Sequence, residues 1–241
     1  MEWLSDNERF SAIDENLKII NDEIAKAALA SGRSSDEVRL MAVTKTVESK
    51  FINHAIDRGV NLIGENKVQE LLLKEPELKL TDCKAHLIGH LQSNKVKKIV
   101  GKVETIQSVD SVSIANEIGK RSVEAGVTTK ILLEINAGNE ESKFGFSRDE
   151  VFEKACEISE IKGILIDGLM CVAPICEKEA EIRTIFSNIH RLFIDIAGKK
   201  RDNINMNVLS MGMSGDYKQA ILEGSNLVRI GSAIFGGRIY R

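Results

Sequence analysis

The sequence predicts an α/β fold, a (β/α)8 TIM barrel preceded by one additional N-terminal helix. Three observations predict it. Eight short apolar runs alternate with stretches whose apolar residues recur at i, i+3 and i+4, the pattern of a parallel sheet covered by helices. No GxGxxG follows the first run, where an open doubly wound sheet would usually hold a dinucleotide. Only two prolines occur, Pro76 and Pro174, and no Gly/Ser-rich linker divides the chain, so residues 1–241 read as a single domain.

Residues 1–32 form the additional helix, packed on the barrel. Leu4, Ile13, Leu17, Ile20, Ile24 and Ala28 share one face, and Ser31-Gly32 is the stop signal. The strands follow as RLMAVTK (39–45), VNLIGE (60–65), AHLIG (85–89) and ETIQSVD (104–110). KILLEIN (130–136), ILIDGLMCVA (164–173), MNVLSMG (206–212) and NLVRIG (226–231) complete the set. Segments such as SKFINHAIDRG, QSNKVKKIVGK and SVSIANEIGKRSVEAG supply the helices between them.

Composition excludes several classes. A net charge of -3 offers nothing to a polyanion, so nucleic acid is not an expected partner. The start, MEWLSDNERF, is acidic and lacks an apolar core, so no signal peptide is expected. No run of 18 apolar residues exists to span a membrane. Cys83, Cys156, Cys171 and Cys176 show no CxxC spacing, which suits reduced thiols in a cytoplasmic protein.

In such barrels the functional groups gather at the C-terminal ends of the strands. Lys45 ends the first run. Burying an ammonium costs several kcal/mol unless it is paired or neutralised, so a lysine there calls for a reason. The turns SMGMS and RIGSAIFGG follow strands seven and eight, where barrels commonly hold a phosphate. Glycines there let backbone N–H groups approach an oxyanion, and Ser210, Gly231 and Ser232 are the expected ligands. Arg229 would pair with the phosphate or face a ring nitrogen. A lysine opposite a phosphate cup suggests a Schiff base, either with pyridoxal 5'-phosphate (PLP) or with a phosphorylated sugar as in class I aldolases. Aldolase-type barrels more often place their lysine on a late strand; its position on the first favours the cofactor.

Other features read as structural. HLQSNKVKKIVGK concentrates lysines without interleaved aromatics, the mark of a solvated helix face, although Gln92, Ser93 and Asn94 could reach the mouth. His86 and His90 have no third ligand nearby in sequence, so no metal site is expected. Glu140, Glu141, Lys143 and the KFGF that includes it form either a rim loop or a plain connection.

The motifs AVTKT, GENKVQE, HLIGHLQSNKVK, QSVDS, EESKFGF, GLM, LSMGMSGDYKQAI and VRIGSAIFGGR, in that order from about residue 40 onward, resemble the pyridoxal phosphate homeostasis protein family. The resemblance implies the fold type III barrel, similar to the N-terminal domain of alanine racemase. It implies that Lys45 forms the Schiff base and that Ser210, Gly231 and Ser232 hold the phosphate, with Arg229 and Asn66 in the site. Ser232 stands where threonine is common, and Gly215 replaces a frequent alanine.

Racemases of this fold need a second base, which alanine racemase takes from an additional domain and a partner subunit. The sequence ends at IYR soon after the eighth unit, and its only tyrosines are Tyr217, within a predicted helix, and Tyr240. An arginine at the ring nitrogen would also weaken the electron sink. The expectation is therefore a cytoplasmic, monomeric PLP-binding protein of vitamin B6 homeostasis, not an enzyme, with PLP-dependent apoenzymes as possible partners. A PLP-dependent amino-acid racemase is the alternative.

Overall fold

The computed structural model describes residues 5–138 and 144–236. Eight parallel strands close in sequential order into a barrel: β1 (Arg39–Val43), β2 (Leu62–Glu65), β3 (Lys84–Leu87), β4 (Thr105–Val109), β5 (Thr129–Ile135), β6 (Ile164–Cys171), β7 (Ile204–Ser210) and β8 (Leu227–Ile230). The helices are α1 (Asp6–Ala30), α2 (Ser49–Asp57), α3 (Val68–Lys74), α4 (Ser93–Ile99), α5 (Val112–Glu124), α6 (Val151–Ser159), α7 (Glu179–Ala197), α8 (Tyr217–Leu222) and α9 (Ser232–Phe235). β8 returns to β1 with Met41 opposite Arg229, which closes the ring.

α1 begins in a capping box, with Ser5 and Glu8 satisfying each other's backbone N–H groups. It ends at Ser31, where Gly32 takes φ 75°. Its buried face, Ile13, Leu17, Ile20, Ile24, Ala27 and Ala28, is the one the spacing predicts; Leu4 lies outside the described residues. The helix packs against α8, α9 and α2, outside the βα repeat.

Two apolar regions form. Outward-facing strand residues such as Ile63, Leu87, Ile106 and Ile131 meet Phe51, Ile52, Val96 and Phe186 from the helices. Each such side chain contributes about 1.5–3 kcal/mol through burial. Inside the barrel a smaller cluster, Met41, Leu62 and Leu227 with Ile88 and Val208, fills the lumen. The same lumen also holds the buried polar residues His86, Gln107, Ser210 and Arg229. The four cysteines are free thiols.

Two strand boundaries differ from expectation in ways that matter for the site. β1 stops at Val43, because Val47 N–H closes a turn on the Thr44 carbonyl at 3.0 Å and Thr46 adopts φ 63°. β7 starts at Ile204 and stops at Ser210, because Gly212 at φ 93° turns the chain away.

Candidate functional site

Lys45 stands on the β1–α2 turn at the C-terminal mouth of the barrel, half-buried. The turn is held by ion pairs from the neighbouring βα unit. Lys74 Nζ on α3 donates to the Thr44 carbonyl at 2.8 Å, to Glu65 Oε1 at 2.7 Å and to Glu70 Oε1 at 2.7 Å. Glu70 Oε1 also accepts the Thr46 N–H at 2.5 Å. Glu65 is fully buried and accepts the Thr44 hydroxyl at 2.9 Å; burial pushes its carboxyl above the usual range against the pull of Lys74. The turn is thus fixed on both sides of Lys45, at Thr44 and at Thr46.

The loops after β7 and β8 lie beside it, since β8 pairs with β1. The N–H groups of Gly231 and Ala233 converge on one oxygen, Ser214 Oγ, at 3.3 and 3.4 Å. Two backbone donors aimed at a single point make a cradle for an anionic oxygen. Gly231 packs at the foot of this loop, where a Cβ would meet the Val43 carbonyl oxygen and Cβ at 3.2 Å. Ser232 opens α9 and is exposed. Beneath the loops Arg229 is 4% exposed and donates to the Ser210 carbonyl at 2.8 Å, to Ser210 Oγ at 2.6 Å and to the Cys171 carbonyl at 2.7 Å. The Ser210 hydroxyl therefore faces the lumen.

On the other side of the mouth, Asn66 follows β2. Its Oδ1 is buried and has no hydrogen-bond partner among the described residues. Gly89 lies against it, so close that a Cβ would come within 2.3 Å of the Asn66 carbonyl oxygen. His90 Nδ1 bonds Asp110 Oδ2 at 2.9 Å, and its ring stacks on Phe144 at 3.9 Å. His90 and Asp110, with Gln92, Ser93, Asn94 and Ser111, line a cavity of about 460 Å³. Glu134 on β5 completes this side. Its carboxyl, partly buried and close to Asp110, is pushed up to about 7.

The fold thus brings Lys45, Asn66, Ser210, Arg229, Gly231 and Ser232 to one end of the barrel, on β1, β2, β7 and β8 or their following loops. His86 and His90 do not face each other: His86 is inside the lumen and His90 is at the rim. Glu140, Glu141 and Lys143 lie outside the described residues, as do Arg238 and Tyr240. Sequence reasoning placed Ser214 at the mouth, in the SMGMS turn, without a role of its own, and it missed Gln107 and Glu134. The signal for the last two was a polar residue at a lumen-facing position of an otherwise apolar strand.

A closed (β/α)8 barrel with a lysine on its first βα turn defines a class. The alanine racemase N-terminal domain family matches residues 11–239. A pyridoxal phosphate homeostasis protein of Aquifex aeolicus is 37% identical over 229 residues, covering 94% of this chain and 98% of the relative. The chain belongs to the pyridoxal phosphate homeostasis protein family. The structure of PipY from Synechococcus elongatus PCC7942 with PLP bound superimposes with a TM-score of 0.81 at 30% identity, covering 93% of this chain and all of PipY (100%). An alanine racemase of Clostridium difficile shares the fold, with a TM-score of 0.73 at 14% identity, and the present chain covers 60% of it.

Proposed function

We propose that this protein binds PLP at the barrel mouth and holds it reversibly, as a component of intracellular vitamin B6 homeostasis, without sustained turnover. The observation that carries the reading is the meeting of the clamped Lys45 turn with the Gly231–Ala233 cradle at one end of the barrel. PLP when bound supplies an aldehyde that condenses with a lysine amine and releases water.

The residues present fit that group. Lys45 is the amine, on a turn whose neighbours leave its backbone little freedom. The Gly231 and Ala233 amides, with Ser210, Ser232 and the buried charge of Arg229, suit a phosphate and a pyridine ring. Asn66 Oδ1, buried and lacking a partner among the described residues, is a polar group awaiting a ligand edge. The similarity to the Aquifex pyridoxal phosphate homeostasis protein and to PipY, which binds PLP, supports the same reading.

The racemase alternative needs a second proton carrier facing Lys45. Tyr217 does not serve: its hydroxyl donates to Glu23 on α1, and its ring is buried under that helix. We place the protein in the cytoplasm as a monomer that exchanges PLP with PLP-dependent apoenzymes. No described helix is long and apolar enough to cross a membrane.

Borohydride reduction of PLP-loaded protein followed by peptide mapping tests the reading. A pyridoxyl group on Lys45 is the expected product, and its absence there would overturn the assignment. Incubation with single amino-acid enantiomers is expected to leave each unchanged; steady racemisation would establish the alternative.

A further inference from the structure

A single file of hydrogen bonds crosses the barrel lumen from the mouth to the opposite end. Arg229 Nη1 lies 2.6 Å from Ser210 Oγ, Ser210 Oγ 2.7 Å from Gln107 Oε1, Gln107 Nε2 2.8 Å from His86 Nδ1, and His86 Nε2 3.0 Å from Glu104 Oε2. The members come from β8, β7, β4 and β3, with Glu104 just ahead of β4.

The donors all point one way, and chemistry dictates the direction from both ends. A guanidinium has only donors, so the Ser210 hydroxyl accepts from Arg229 and gives its own proton to the Gln107 carbonyl oxygen. That leaves the Gln107 NH2 facing the ring, whose Nδ1 must be bare. At the far end Glu104 is held as a carboxylate, down to about 2, chiefly by its hydrogen bond to His86, and so requires the ring proton on Nε2. Burial keeps His86 below its usual pKa, so the neutral ring is the resting form. The charged groups facing it are Glu104, Arg39 at the start of β1 and Lys130 near the start of β5; Arg229 reaches it only through Ser210 and Gln107.

We infer that His86 and Gln107 are positioning residues for the phosphate site, and that they set whether the Ser210 proton is available to an anion. The inference rests on the reading that Ser210 and Arg229 serve PLP. With a neutral ring, the hydroxyl proton is spent on Gln107. When Nδ1 takes a proton from solvent it becomes a donor, and Gln107 must present its carbonyl to the ring and its NH2 to Ser210. The hydroxyl then accepts from both Gln107 and Arg229, and its proton is released toward the mouth. Anion binding should therefore tighten as pH falls through the titration of His86.

The test uses PLP-free protein and sulfate, whose charge stays constant across the range. Long-range 1H–15N spectra read the His86 tautomer, and the Gly231 and Ala233 amide shifts read binding. The expected result at pH 8 is a neutral ring protonated on Nε2. Sulfate affinity should rise about tenfold as His86 titrates, the worth of one hydrogen bond to a charged group. Gln107→Leu frees the Ser210 proton and should bind at pH 8 as tightly as the wild type at low pH, whereas Gln107→Glu should stay weak throughout. A ring protonated on Nδ1 at pH 8, sulfate binding that does not follow His86, or an equal loss in both Gln107 variants would overturn the inference. Borohydride mapping of the PLP-loaded wild type runs alongside. A missing Lys45 adduct would sink the parent reading while the tautomer and sulfate results stand on their own.

Discussion

Lys74 donates to the Thr44 carbonyl oxygen across 2.8 Å and to the buried Glu65 carboxylate across 2.7 Å, so one ammonium ties the Lys45 turn to the end of β2. Lys74 is itself only 11% exposed and Glu65 not at all, which makes this a buried pair. Removing one partner strands the other charge.

Lys74→Met is therefore expected to destabilise the protein by about 3–5 kcal/mol, measured by urea denaturation. The double variant Glu65→Gln with Lys74→Met should recover part of the loss, because the fully buried carboxylate is then gone and only the half-buried Glu70 lacks its cation. PLP should also dissociate faster from Lys74→Met, since the Thr44 carbonyl is no longer held. A loss under 1 kcal/mol would show that the turn does not depend on this pair.

Glu134 makes stability depend on pH. Its folded pKa, about 7, lies above the ordinary value of 4.5 because the carboxyl is largely withdrawn from water near Asp110, with Arg229 and His90 partly offsetting this. Its contribution is fully present below about pH 4.5 and is lost as pH rises through about 7. Glu134→Gln should thus gain on the order of 2–3 kcal/mol over wild type, PLP-free, between pH 5 and pH 8. Equal pH slopes for the two proteins would contradict this.

Tyr217 tests the separation of α1 from the mouth. Tyr217→Phe removes the hydrogen bond to Glu23 and should cost about 1 kcal/mol of stability. The absorbance of bound PLP and its attachment to Lys45 should not change. A spectral shift would place the hydroxyl in the cofactor's environment.

Gly168 has the least room for a side chain of the described glycines. It lies on β6 at φ 154°, where a Cβ would come within 1.8 Å of the Val208 carbonyl oxygen, and the registers with β5 and β7 shift around it. Gly168→Ala should yield no soluble protein with a cooperative unfolding transition; a folded variant would mean that β6 and β7 can separate at little cost.

Much of the fold was legible because its signals are local. Apolar runs of strand length, separated by helical spacing, count the βα units without knowledge of any contact, and Ile13, Leu17, Ile20 and Ile24 mark the face of α1 that is buried. Lys45 was legible for the same reason, as a charge at the end of an apolar run. Strand ends were less so. The halt of β1 at Val43 follows from a turn whose stabilising partners, Glu70 and Lys74, come from another unit.

By itself the sequence determined the class of fold, the order of its elements and the end of the barrel at which Lys45, Asn66, Gly231 and Ser232 gather. Only the tertiary structure decided the partners. His86, Gln107, Ser210 and Arg229 are separated by up to 143 positions in the chain, and the closed barrel aligns them because β3, β4, β7 and β8 point alternate residues into one lumen. A buried donor or acceptor in so small a space must find its match, and which match it finds is a property of the ring of strands, not of any one of them.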